Sequence, residues 1–387
     1  NGKILVKTNP YPEYNYSDLL IIKGQLSVPE NFSVQGGSVP GGSGFDYQNY
    51  LSRDGIFYVI NWPEIQIVFK KNYQTFWEFS YGNILDFKNI IRQKINRNFP
   101  YFHAKLLAGI MLGDQSGFPK DFKDKMSITG LSHITAISGM NIAILCSIVM
   151  GLFLGLGLWR RQAFYLTLIF ILLFVLMVGP KPSIVRAAIM GSFVLLAQKI
   201  GRLSNNMRII AIVAAIMIFI NPMILRWDIG FQLSFLAILG IILLSHAIEK
   251  IFNKFFSKDF INLKSIIAMT LAAQIFTLPI LIYNFGRFSL VSPITNVLVV
   301  PVVDIIIILG FVFAFFSMVF SWLGWIFIWP CWLVLTYVLK VVDIFSQLWA
   351  IKSIDNLHWS WLVVLYSLLA ILSFFIKRRE RLNFLNY

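Results

Sequence analysis

Arg186, Asp228 and Asp304 are ionisable residues that the sequence places within or beside long apolar stretches. An ionised side chain near the middle of a bilayer costs about 2.5–3.5 kcal/mol, so we expect these side chains to face protein or water. Arg186 follows Pro182 by one turn, and a proline can begin a helix, so Arg186 can point into an outer vestibule. Its planar guanidinium suits a phosphate group. A structural ion pair with Asp228 or Asp304 is the alternative, and the two roles do not exclude each other.

Asp304 belongs to an apolar stretch that also contains Pro293 and Pro301. This combination is typical of a broken or re-entrant helix that lines a cavity. A continuous helix with a proline kink accounts for the same residues, and both interpretations stay open.

Asp228 and Gln232 lie one helical turn apart, and Phe231 and Phe235 repeat that spacing. The pattern predicts a polar stripe beside an aromatic stripe. Aromatic rings can stack with nucleic-acid bases, whereas core packing is the alternative for the same two rings.

His133, Ser138 and Asn141 form a polar cluster where the first long apolar stretch begins. Ser138 could act as a nucleophile with His133 as its base. However, a spacing of five places them poorly on one helical face, and no acidic residue is near to orient the histidine. Catalysis by this cluster is therefore disfavoured.

Histidines and cysteines show no metal-binding pattern. Four histidines are scattered without a partner at ligand spacing: His103, His133, His246 and His358. Both cysteines, Cys146 and Cys331, lie in apolar runs, which favours buried thiols over a disulfide. We predict no metal site and no cofactor.

The elements that must position these residues are membrane helices. Of the 387 residues, 57% are hydrophobic and 13% are charged, whereas soluble domains carry roughly 25% charged residues. Apolar runs of about 20 residues can cross a bilayer. We therefore predict a polytopic α-helical membrane protein with about nine membrane segments, some of them broken or re-entrant: 134–158, 162–178, 183–199, 207–221, 229–247, 264–284, 297–318, 323–348 and 359–376.

Three regions are expected along the chain. Residues 1–70 alternate β-rich runs with turn clusters and predict a small, extracellular β domain, here called the N-terminal domain. Residues 71–130 form a connector, in which Asn83–Asn98 predicts an interfacial amphipathic helix and Leu106–Leu112 a buried or re-entrant segment. A surface helix packed on the N-terminal domain is the alternative for Asn83–Asn98. Residues 131–387 form the transmembrane domain, here called the helical domain.

Charge is distributed unevenly between the predicted loops. The net charge of +15 resolves into −1 for residues 1–70, +4 for 71–130 and +12 for 131–387. Basic residues concentrate in the loops that alternate to one side, which predicts a cytoplasmic C-terminus and an extracellular N-terminal domain. The predicted first span also carries small residues at every fourth position, so we expect another backbone to pack closely there: Gly139, Ala143, Ser147, Gly151 and Gly155.

Several ordered motifs resemble those of the ComEC-type competence channels, which pass single-stranded DNA through the bacterial cytoplasmic (inner) membrane. Residues 130–139 resemble the family's GLSHxxAISG, 182–190 its PSxxRAxxM, Asn221-Pro222 its NP and 228–235 its DxGFQLSF. Upstream, residues 45–51 resemble the FDYxxYL that ends the family's extracellular OB-like domain. The likeness covers nearly the whole chain.

The resemblance implies a channel for single-stranded DNA during natural transformation. Arg186 would then contact phosphate, and the segment from His133 to Asn141 would form a constriction, although Asn141 stands where the family usually has histidine. It also implies a DNA-binding OB-like domain. The net charge of that domain argues for weak phosphate attraction, so base stacking on tyrosines is the expected mode: Tyr11, Tyr14 and Tyr16.

The partners implied by the resemblance are an outer DNA receptor and a cytoplasmic ATP-driven helicase, since no P-loop occurs in this chain. Many family members end in a nuclease-like metallo-β-lactamase domain, whose motif is not found here, so we expect no enzymatic activity from this chain. Two other functions stay open from the residues alone: a secondary transporter for a small anion, and an intramembrane hydrolase that uses Ser138 or Asp304.

Overall fold

The computed structural model is dominated by helices, which follow a small β region at the N-terminus. It describes residues 2–9, 12, 14–30, 46–115, 117–135, 137, 139–179, 182–200, 206–255, 263–319, 321–347, 351–353 and 358–385.

The described part of the N-terminal domain contains five strands and one short helix. These are β1 (Lys3–Lys7), β2 (Leu19–Lys23), β3 (Leu26–Ser27), α1 (Tyr47–Ser52), β4 (Ile56–Asn61) and β5 (Glu64–Phe69). Strand β4 is the centre of a three-stranded sheet, parallel to β1 and antiparallel to β3, and β2 pairs antiparallel with β5. The β-rich runs predicted in residues 1–70, namely Gly2–Val6, Leu19–Leu26, Gly55–Ile60 and Ile65–Phe69, all form strands. Within the described residues they make two separate ladders rather than one closed barrel.

In the described residues after the N-terminal domain, the regular structure is helical apart from one short ladder. The connector holds α2 (Phe76–Asn98), α3 (Tyr101–Leu112) and α4 (Lys120–Ile128). The helical domain holds α5 (Gly139–Gly155), α6 (Arg160–Val178), α7 (Pro182–Ile200), α8 (Asn206–Ile220), α9 (Ile224–Trp227), α10 (Ile229–Phe255), α11 (Leu263–Phe285), α12 (Ser292–Val319), α13 (Ser321–Phe345) and α14 (Ser360–Leu385). Strands β6 (Arg287–Ser289) and β7 (Ile351–Ser353) pair antiparallel.

Five of the described helices are long and apolar enough to cross a membrane, namely α6, α10, α11, α12 and α13. The other four predicted spans coincide with α5, α7, α8 and α14, whose apolar parts are shorter. The prediction of a helical membrane protein is therefore confirmed. The count of nine spans stays a prediction.

Helix α12 lies at the centre of the largest core cluster and packs on α2, α3, α5, α11 and α13. Its residues Val299, Ile306 and Phe313 are fully enclosed. The helix continues through Pro301 without a break. The interpretation of this stretch as a broken helix is therefore wrong, and the continuous helix is the one that forms.

Helix α2 packs on the helical domain through its apolar face. Ile91 and Ile95 are buried as the amphipathic pattern predicts, whereas Phe87 is 49% exposed. Lys88 donates from Nζ to the carbonyl of Val178 at the end of α6, 3.2 Å away. Cations are favourable at helix C-termini, where backbone carbonyls lack partners. Contacts with α3, α6 and α12 argue against a helix that packs on the N-terminal domain alone.

The segment Leu106–Leu112 is buried at every position, as predicted. By contrast, the small-residue face of α5 does not meet another backbone along its length. A Cβ at Gly139 would touch Ala187, but at Gly151 and Gly155 nothing lies within 4 Å. The expectation of close packing along this face holds only at its first residue within the described part of the chain.

Candidate functional site at the junction of the N-terminal and helical domains

Arg186 lies in the second turn of α7, which begins at Pro182 as predicted. The residue is 5% exposed, and its guanidinium packs over the ring of Phe235, with Cζ 5.7 Å from the ring centroid. Gly139 approaches from α5, where a Cβ would lie 3.8 Å from the terminal nitrogen NH2. Nε and NH1 are buried and have no hydrogen-bond partner among the described residues. Burying a cationic donor without an acceptor costs free energy, so binding of an anion at this position would stabilise the site.

Asp228 pairs with Arg53, a residue of the N-terminal domain, and not with Arg186. Its Oδ2 accepts from the terminal nitrogen NH1 of Arg53, and the side chains of both residues are 6% exposed. Its Oδ1 accepts from the backbone amide of Phe231 at 2.8 Å and so caps the first turn of α10. The alternative of an Arg186–Asp228 ion pair is therefore not the arrangement found, although Asp228 still acts electrostatically on Arg186.

Helix α1 positions Arg53 beside Asp228. Asp46 caps α1 by accepting from the backbone amide of Asn49 at 3.0 Å. Arg53 follows the helix directly and lies over the ring of Tyr50, 4.7 Å from Cζ to the centroid. Burial opposes its charge, but the hydrogen bond to Asp54 and the charge of Asp228 raise the pKa of Arg53 above its ordinary value. Arg53 is therefore charged at every physiological pH.

The turn at Asn221-Pro222 completes this junction. Nδ2 of Asn221 donates to the carbonyl of Arg53 at 3.5 Å, and its Oδ1 accepts from the backbone amide of Met223 at 3.1 Å. The asparagine thus stabilises its own turn and contacts the N-terminal domain. Three motifs that are far apart in the sequence meet here: the FDYxxYL segment, the NP turn and the start of α10.

Three further side chains make contacts within the junction through hydrogen bonds or ring packing: Gln232, Phe231 and Phe235. Nε2 of Gln232 donates to the carbonyls of Leu225 and Arg226 at 2.8 and 3.1 Å and so caps the end of α9. Phe231 and Phe235 are 4% and 8% exposed, with ring centroids 4.4 Å apart. In this structure the two rings pack in a core, which was the alternative to base stacking.

The GLSH segment forms a tight turn at the entrance to α5. His133 is exposed in a 3-10 turn at Ser132–Ile134, and its Nδ1 contacts the carbonyl of Gly130 at 3.1 Å. Asn141 is buried and donates from Nδ2 to the carbonyl of Ile110 in α3, 3.3 Å away. Ser138 lies outside the described residues. Asn141 thus ties α5 to the buried connector helix, a role that an amide fills without an imidazole.

The sequence analysis did not predict a set of hydrogen-bonded polar residues at the start of α12. Thr295 donates from Oγ1 to the carbonyl of Thr129 at 2.7 Å, and Ser292 accepts from Gln274 and Asn296 at 3.0 and 3.1 Å. These bonds join the turn before α5 to α11 and α12. The signal was the polar run Ser292-Pro293-Ile294-Thr295-Asn296 at the head of an apolar stretch.

Asp304 is not a partner of Arg186 in the described structure. Its Oδ1 is buried and has no hydrogen-bond partner among the described residues. Of the three tyrosines proposed to stack with bases, Tyr11 lies outside the described residues and Tyr14 is half-buried. Tyr16 is 42% exposed and meets the ring of Tyr81 edge-on, with centroids 4.9 Å apart. Their part in stacking stays a prediction. Within the described ranges no three potential metal ligands come together.

Comparison with known proteins agrees with the motifs. A family model described as "Competence protein" matches residues 110–379, which is well over half of the chain. The chain is 28% identical to "ComE operon protein 3" of Bacillus subtilis (strain 168) over 280 residues, which are 72% of this chain and 33% of that protein. The chain thus spans about one third of the length of this relative. No solved structure matches the chain.

Proposed function

The chain belongs to the competence protein family, and from this premise we propose that it forms the channel through which single-stranded DNA crosses the cytoplasmic membrane. The observation that carries the proposal is Arg186, whose buried guanidinium has two nitrogens, Nε and NH1, without a hydrogen-bond partner among the described residues. A passing phosphate would supply the missing acceptor, since the planar fork of a guanidinium matches phosphate oxygens.

The surroundings of Arg186 favour weak binding and fast release of an anion. Asp228 is close enough to act on Arg186 electrostatically, so it offsets part of the positive charge that would hold a phosphate. Conduction requires binding that is favourable enough for entry and weak enough for release. A single arginine with a nearby carboxylate meets both requirements better than a cluster of arginines would.

Other components complete the proposal. The N-terminal domain faces outward and receives DNA from an outer receptor, while a cytoplasmic ATP-driven helicase supplies the energy. The segment from His133 to Asn141 forms a constriction at the entrance. This chain performs no chemistry of its own.

A secondary transporter for a small anion is the second candidate, because Asp304, like Arg186, has a buried polar atom without a hydrogen-bond partner in the described part of the chain. Such a carboxylate could carry a proton together with an anion.

Binding to the purified protein in nanodiscs separates the two functions. A fluorescent single-stranded oligonucleotide should bind the wild type, bind Arg186→Ala more weakly, and resist displacement by millimolar inorganic phosphate. Arg226→Ala is the control, because Arg226 is exposed in the neighbouring helix α9 and its loss changes the net charge equally. Equal oligonucleotide affinity in all three proteins would contradict the channel proposal, and displacement by inorganic phosphate alone would favour the transporter.

A further inference from the structure

The carboxylate of Asp228 interacts electrostatically with two arginines, Arg53 and Arg186, and is hydrogen-bonded to Arg53. Oδ1 accepts from the amide of Phe231, and Oδ2 accepts from Arg53. Arg186 experiences the charge of Asp228, yet its Nε and NH1 have no partner among the described residues. While Arg53 is in place, each oxygen of Asp228 accepts a hydrogen bond, and the ion pair of Asp228 is with Arg53 rather than with Arg186.

Arg53 and Asp228 belong to different parts of the chain. Arg53 directly follows α1 in the N-terminal domain, and its carbonyl accepts from Asn221 in the turn after α8. Its guanidinium can therefore occupy Asp228 only while α1 is docked on the start of α10. The availability of Asp228 to Arg186 depends on that docking.

We propose that Arg53 is a positioning residue for the Arg186 site: by holding Asp228, it leaves Arg186 able to bind the phosphate of single-stranded DNA. This inference rests on the proposed function for the identity of the anion. When Arg53 leaves, Asp228 and Arg186 are both buried and unpaired, which is costly, so they pair with each other. The Arg186 site is then closed to phosphate.

The coupling is reciprocal. If docking of the N-terminal domain strengthens phosphate binding, bound phosphate must strengthen docking by the same factor. Docking of the N-terminal domain on the helical domain would thus make the Arg186 site available to phosphate, and bound DNA would stabilise the docked arrangement.

A thermal-stability cycle in nanodiscs tests the exchange of partners without DNA. In the wild type, Arg186→Ala removes an unpartnered buried cation, so the Tm should stay level or rise. In the Arg53→Ala background, the same change removes the replacement partner of Asp228, so the Tm should fall. Arg226→Ala should have the same small effect in both backgrounds. An equal effect of Arg186→Ala in both backgrounds would overturn the inference.

Oligonucleotide binding tests the consequence for the site. Arg53→Ala should weaken binding by roughly 5–150-fold, the usual range of a coupling between sites, while Arg53→Lys should retain most of it. Adding Asp228→Asn to Arg53→Ala should restore binding, because the amide still caps Phe231 but no longer competes for Arg186. Failure of this rescue overturns the inference. If Arg186→Ala alone leaves binding unchanged, the proposed function fails, and the stability cycle still decides whether the partners exchange.

Discussion

Gly130 packs directly against the hydroxyl of Ser292, so the turn before α5 and the start of α12 touch where a side chain would not fit. The backbone of Gly130 has φ +72°, and a Cβ built there would overlap Oγ and Cβ of Ser292. The glycine that opens the GLSH motif is thus required twice, for its left-handed backbone and for the space it leaves.

Gly130→Ala should destabilise the protein, because it adds overlap with Ser292 to the strain of a left-handed backbone. Gly157→Ala is the matched control: Gly157 has φ +83°, but no described residue lies within 4 Å of its Cβ position. Left-handed backbone costs roughly 1–2 kcal/mol for a residue with a side chain, so both variants should lose stability and Gly130→Ala should lose more. The Tm of the purified protein measures the difference, and equal shifts would show that the contact with Ser292 is unimportant.

Thr336→Val should loosen the packing of α3 on α13. The hydroxyl of Thr336 donates to the carbonyl of Trp332 at 2.8 Å, so it accepts from Nε2 of His103, 2.9 Å away. Because Nδ1 of His103 is buried without a partner in the described structure, the variant leaves both ring nitrogens unpaired. We expect the free energy of unfolding to fall by about 1–3 kcal/mol.

Thr277→Val serves as the control for Thr336→Val, since the Thr277 hydroxyl bonds only to carbonyls of its own helix in the described structure. Loss of the Thr277 hydroxyl should lower the free energy of unfolding clearly less than loss of the Thr336 hydroxyl does. Denaturation curves of the two variants that coincide would argue against the His103 contact.

The tyrosines of the N-terminal domain should contribute to DNA binding through stacking. Replacing Tyr14 and Tyr16 together with alanine should weaken binding by about 1–3 kcal/mol per stacked base, with little change in the dependence on salt. Tyr101→Ala, at an exposed position of α3, is the control. A steep salt dependence that the tyrosines do not affect would contradict this account.

The orientation of the chain can be measured by thiol labelling. Asn15→Cys, at an exposed position of the N-terminal domain, should react with an impermeant reagent in intact cells, and Lys254→Cys should react only after lysis. The native thiols, Cys146 and Cys331, are buried and should contribute little background. Labelling of Lys254→Cys alone in intact cells would reverse the predicted topology.

Local patterns predicted the elements well, because hydrophobic periodicity and β-rich runs act over a few residues. The strands of the N-terminal domain, the start of α7 at Pro182 and the burial of Leu106–Leu112 all follow from such patterns.

The partner of Asp228 could not be predicted in the same way. Arg53 lies 175 residues earlier, and nothing in its own neighbourhood shows where α1 docks. Asp228 interacts electrostatically with both arginines, and the tertiary arrangement determines that its ion pair is with Arg53. The small-residue face of α5 misled the analysis for a related reason, since a pattern shows that a helix can pack closely but not what it meets.

The central claim, that Arg186 contacts the phosphates of passing DNA, is tested most directly by transformation frequency measured beside protein abundance in the membrane. The host should lack its own channel gene and carry the gene for this protein. We predict that Arg186→Ala abolishes uptake at normal abundance, while Arg186→Lys keeps part of it because the charge remains. Uptake that falls only in proportion to abundance would contradict the claim and leave Arg186 a structural residue.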